Sequence, residues 1–170
     1  MATGELETSL FPGIIIMLGI GTISALIVGA LYGIAMFYMN FIILNILVAF
    51  LCVMLIAVFA IFGGNTGKVN SRSAHTMFGL IFGLVAVYSS WVIWLYAVSG
   101  WDLWVLPPSE ILEIAVMISD IGVWSIFGFT PTGNLLLTFW GIEAITIAGL
   151  AAYLTGQLRT TVIQNELSNQ

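Results

Sequence analysis

The stretch "LLLTFWGIEAITIAGLAAYL", residues 135–154, decides the fold. About 20 mostly apolar residues cross the hydrocarbon of a bilayer, and this run meets that requirement. Yet Glu143 sits near its middle. At 1.5 Å per residue the carboxyl lies about 15 Å from the outer end of the span, close to the midplane. An ionised acid facing lipid at that depth is untenable. Glu143 is therefore expected to point into a helix bundle or a water-filled path, or to carry its proton.

The rest of the chain shares that solvent. Of its 170 residues, 61% are hydrophobic and 6% charged, and the mean hydropathy is +1.14. Soluble domains carry about 25% charged residues, so this chain has too little polar surface to cover itself with. The length suits one domain, residues 1–170. From Phe11 to Phe62 no residue is charged, which allows two spans and a tight turn. The reading is an all-α integral membrane protein with spans at about 12–36, 41–62, 75–98 and 133–156. The first turn is placed at "FYMN", residues 37–40. Gly63 and Gly64 are expected to end the second helix, Ser73 to cap the third, and Gly156 to close the fourth.

Between the third and fourth spans, Pro107 and Pro108 precede Ser109, a good helix start. Glu110, Glu113, Met117 and Asp120 fall on one helical face, and Ile111, Ile114, Ala115 and Ile118 on the other. This predicts an amphipathic helix at about 109–122 lying on the membrane surface. The alternative is a fifth span. It would bury acids at a cost of about 2.5–3.5 kcal/mol each at a helix centre.

Three cations set the orientation. Lys68 and Arg72 lie between the second and third spans, and Arg159 follows the fourth. Four spans put all three on one side, which the positive-inside rule makes cytoplasmic. Both termini would then be cytoplasmic, with a tail over 157–170. Five spans would separate Arg159 from the other two. The acidic start "MATGELETSLFP" lacks the basic region of a secretory signal, so the first span is expected to be retained. A bacterial inner membrane is the expected host.

Small residues recur every fourth position in the first span: Gly21, Ala25, Gly29 and Gly33. Gly79 and Gly83 repeat the spacing in the third, extended by Ala86 and Ser90, and Ala144, Ala148, Ala151 and Ala152 line the fourth. Such strips let helix backbones approach closely in lipid. Packing within one four-helix bundle and a subunit interface are both open on this evidence.

Partners for Glu143 are sought by depth. Tyr88, Ser89 and Ser90 in the third span lie near the middle, as do Thr22 and Ser24 in the first, and Thr146 is one turn along from the acid. Asn45 and His75 are candidate relay groups at the outer and inner ends, His75 reading more simply as an interfacial residue. The Trp residues are assigned to an outer aromatic belt, Trp101, Trp104, Trp124 and Trp140 among them, with Trp91 packed deeper. The single cysteine, Cys52, reads as a buried small side chain.

Several classes of function find no support. No basic patch exists for nucleic acid. Neither HExxH, GxSxG nor CxxC occurs. "GGNTGK" departs from a phosphate loop because Val69 follows Lys68. No metal or cofactor is expected. The leading expectation is a non-enzymatic subunit that forms a homo-oligomer or membrane complex, or anchors a soluble cytoplasmic partner, as small sensor or effector subunits of bacterial complexes do. The runner-up is a small channel or proton/cation-coupled transporter using Glu143, and an intramembrane enzyme comes third.

Overall fold

The structure is a computed structural model that describes residues 3–39, 42–100, 107–123, 125 and 128–168. Its elements are α1 (Thr3–Tyr38), α2 (Ile42–Thr66), α3 (Arg72–Val98), α4 (Pro108–Ser119) and α5 (Gly133–Ser168). Four helices are long and apolar enough to cross a membrane, over Phe11–Tyr38, Ile43–Thr66, Arg72–Val98 and Gly133–Thr160. The protein is all-α. α4 has 12 residues. That is about 18 Å of helix against about 30 Å of hydrocarbon, so it does not make a fifth span.

α3 packs between α1 and α5, and α2 packs against the same two helices from the other side. α1 and α5 are thus diagonal across the bundle. Because lipid offers no hydrophobic drive for association, close approach of small residues decides which faces meet. The α1 strip lies on α3. A Cβ at Gly29 would stand 2.8 Å from the Ala86 Cα, and one at Gly33 3.1 Å from the Ile93 Cβ. α3 meets α5 in the same way, with Gly83 over Ala148 and Gly79 over Ala151 and Ala152. Outward faces carry Ile, Leu and Phe, as lipid contact requires: Ile23, Leu31, Leu47 and Ile145 are all exposed.

α4 presents the two faces expected of it. Glu110, Glu113, Met117 and Asp120 are exposed, whereas Ile111 and Ala115 are buried and Ile114 and Ile118 half-buried. Its apolar side rests on the ends of α3 and α5.

Helix ends differ from the sequence reading in four places. α1 begins at Thr3, so Pro12 lies inside it rather than at its start. α2 continues through Gly63 and Gly64 to Thr66. Those glycines serve packing instead of termination, Gly63 against Met17 and Gly64 against the His75 ring. The α3 cap is Ser71, not Ser73; its hydroxyl accepts from the Ala74 amide at 3.3 Å. α5 runs past Gly156 to Ser168, because Gly156 makes room for Thr76 beside Arg72. The 157–168 tail is therefore helical. α1 ends at Tyr38, within the expected turn; Asn40, Trp101, Trp104 and Trp124 lie outside the described residues.

Candidate functional site

The Tyr32 hydroxyl donates a hydrogen bond to Oε1 of Glu143. Local sequence positions both groups. Drawing the Gly29–Gly33 face of α1 onto α3 turns the adjoining Tyr32 inward, where it is 4% exposed. On α5, Ala148, Ala151 and Ala152 let the helix sit close to α3, leaving half-buried Glu143 facing the interior. The Tyr32 phenol is long enough to cross from one diagonal helix to the other.

The pair borders a cleft of about 830 Å³. Tyr32, Asn45, Trp91, Trp94, Trp140 and Glu143 are among its lining residues. Trp91 stands edge-on to Trp140 at 4.7 Å and to Trp94 at 5.6 Å. Trp140 is buried against Trp91 rather than placed in the outer aromatic belt, which corrects the sequence assignment. Ile46 and Phe50 of α2 and Phe139 and Ile142 of α5 form the rim, and all four are exposed. The cleft is thus open on the side between α2 and α5, and exposed Val98 and Ile121 line it at its outer end. Among the described residues, no Lys, Arg or His lines it. Asn45 borders it, and its Oδ1 has no hydrogen-bond partner.

Other residues singled out from sequence lie elsewhere. Ser89 donates to the Leu26 carbonyl at 2.8 Å, tying α3 to α1, and Ser90 to the Val87 carbonyl at 2.8 Å. Neither meets Glu143. Tyr88 packs with the aromatic cluster at the outer end of α3. Thr146 lines the cleft one turn from Glu143. Gly21, Ala25, Gly29, Gly33, Gly79 and Gly83 make the helix seams described above. Lys68 is exposed in the α2–α3 connection and Arg72 is exposed at the start of α3. Among the described residues, no group of three His, Cys, Asp or Glu could hold a metal ion.

A second polar cluster closes the other end of the bundle. Arg159, 3% exposed, donates from Nη1 to Asn65 Oδ1 at 2.6 Å and from Nη2 to Asn70 Oδ1. His75, in the first turn of α3, is fully buried, with Nδ1 2.9 Å from the Ser71 carbonyl. Arg159 Nε and His75 Nε2 have no protein partner. From sequence, Arg159 reads as a tail cation that follows the fourth span. A signal for its burial exists: it follows Ala148, Ala151 and Thr155 at helical spacing, on the face of α5 that is buried.

No protein-family model, curated protein or solved structure matches the chain.

Proposed function

We propose that this chain is a non-enzymatic multi-pass membrane protein that takes an amphiphilic molecule from the bilayer into the cleft beside Glu143, as the binding step of a small transporter. One observation carries the reading: a carboxyl hydrogen-bonded to a phenol faces an apolar cleft that opens to lipid and contains no cation. Ligand sites are typically apolar clefts of 300–1,000 Å³ with a few converging polar groups, and about 830 Å³ falls in that range. Buried ionisable groups in membranes mark substrate or ion paths more often than they serve packing alone.

The subunit reading drew on the glycine strip of α1, and that surface lies against α3 in the same chain. The part of it that keeps support is the helical extension of α5 beyond Thr160, a candidate contact for a soluble partner. The grouping of Lys68, Arg72 and Arg159 at one end supports a bacterial inner-membrane orientation with that end, and both termini, in the cytoplasm. The cleft then opens into the outer half of the bilayer.

A neutral bromoalkanol tests the binding reading. Titrated into the protein in lipid nanodiscs, it should quench tryptophan fluorescence saturably, because Trp91, Trp94 and Trp140 wall the cleft. Ala49→Phe places a ring in the cleft and should remove the saturable component. Quenching that rises linearly and equally in both proteins would refute it.

A further inference from the structure

We propose that the cleft is built for an organic ammonium ion carrying N–H groups, bound in exchange for the Glu143 proton. The inference rests on the cleft being a ligand site and specifies what enters it.

Charge comes first. Glu143 is the acid among the lining residues, and no lining cation offsets it. Burying an uncompensated carboxylate in an apolar surround is expensive, so the empty site is at its lowest free energy when the group holds a proton. An anion would meet a carboxyl and the Asn45 carbonyl, both of the wrong sign. A cation completes the site.

The walls suit the same class. Trp91 lies nearly perpendicular to Trp140 and Trp94, at 86° and 71°. Such a corner presents negative ring faces to a cation from more than one direction. The Tyr32 hydroxyl gives its proton to Glu143, so its remaining lone pairs can only accept.

Asn45 separates a primary ammonium from a quaternary one. Its Oδ1 lacks a donor. Depth places it near the acid. Tyr32, which bonds Glu143, is about 9 Å below the end of α1 at Tyr38, and Asn45 about 4.5 Å below the start of α2 at Ile42. One helix follows the other through a short turn, so the two groups differ in height by about one helical turn. Both acceptors line the same cleft, so the proposed alkylammonium head sits between them, its chain leaving between Phe50 and Ile142. A quaternary head supplies charge but no N–H.

The exchange balances simply. The O–H bond of Glu143 breaks, its proton passes to water, and the ammonium takes its place beside the carboxylate. No bond to the ligand forms, and the charge held in the membrane is unchanged.

The test uses the whole chain in phosphatidylcholine nanodiscs with decylammonium, decyltrimethylammonium and decanol, read by tryptophan fluorescence and a pH dye in weak buffer. Decylammonium should bind about tenfold tighter than decyltrimethylammonium, the scale of one hydrogen bond to a charged group. Decyltrimethylammonium, which has no proton of its own to lose, should release about one proton per molecule bound. Its affinity should fall with falling pH, because the proton competes for the same carboxylate. Glu143→Gln should abolish proton release and the preference of either cation over decanol. Asn45→Leu should keep proton release but erase the preference for decylammonium, which leaves a test standing if the Glu143 variant fails to fold. Decanol binding as tightly as either cation, or cation binding without proton release, would overturn the ammonium assignment while leaving the cleft a ligand site. Failure of all three probes to saturate, with Ala49→Phe unchanged, would overturn the ligand site itself.

Discussion

Tyr32 and Glu143 are joined by a hydrogen bond across the diagonal of the bundle, from α1 to α5, two helices that do not pack on one another. The bond therefore ties the two sides of the cleft together at its floor. Tyr32→Phe keeps the ring and removes the tie. It should lower unfolding stability by about 1 kcal/mol, the scale measured for hydrogen bonds between membrane helices. Thermal unfolding in nanodiscs reads this directly. Bromoalkanol binding should survive, since the cleft walls stay in place.

The small-residue seam between α1 and α3 makes a prediction with an internal control. A Cβ at Gly29 would lie 2.8 Å from Ala86 Cα, whereas one at Gly19 would meet nothing within 4 Å. Gly29→Ala should thus destabilise by about 1–3 kcal/mol, as overpacking does. Gly19→Ala should be neutral or slightly stabilising. Neither should change the mass of the embedded particle. A drop in mass for Gly29→Ala without loss of stability would return the strip to a subunit interface.

Arg159 holds Asn65 at the end of α2 and Asn70 in the α2–α3 connection from inside the bundle, and its removal leaves both amides without their donor. Arg159→Met preserves most of the apolar stem. The expected loss is about 3 kcal/mol, the value of two hydrogen bonds to a charged group less what solvent recovers. Protease access to the 67–71 connection should rise with it. An unchanged melting curve would show that the cluster is not a clamp on this loop.

Orientation is testable with single cysteines in a Cys52→Ala background. Lys68 and Asp120 are both exposed and lie at opposite ends of the bundle. An impermeant thiol reagent outside intact cells should label Asp120→Cys and spare Lys68→Cys. The reverse pattern inverts the topology; labelling of both from one side breaks the four-span layout.

Much of this architecture can be read from the residues. Long apolar runs have one stable solution in lipid, because only a helix satisfies its own backbone there. That is why the four spans and the two-faced α4 are legible. Glu143 stands out for the complementary reason, as a charge where the surroundings are hydrocarbon. Helix ends are harder. Gly63, Gly64 and Gly156 look like stops, but small residues also let a neighbour approach, and only the neighbour decides between the two.

The Tyr32 contact shows the same limit. Depth counted from level helix ends points to Tyr88, Ser89 and Ser90 in the third span and to Thr22 and Ser24 in the first. Tyr32 lies six residues from the end of α1 and Glu143 ten from the start of α5, so the true partner lies nearer the end of its own helix. A tyrosine close to a span end also reads as an interface anchor. Arg159 was obscured in a similar way, since a cation after a span is normally solvated; its alignment with Thr155 and Ala151 was the clue.

The central claim is that Glu143 is a ligand group and not merely a fastener for Tyr32. Infrared difference spectroscopy in nanodiscs sees the carboxyl itself. Addition of decyltrimethylammonium should remove a protonated-carboxyl stretch and raise a carboxylate band, in the native chain and not in Glu143→Gln. If the cation displaces the bromoalkanol, and so relieves its tryptophan quenching, while that stretch stays unchanged, the carboxyl takes no part in binding and the account fails.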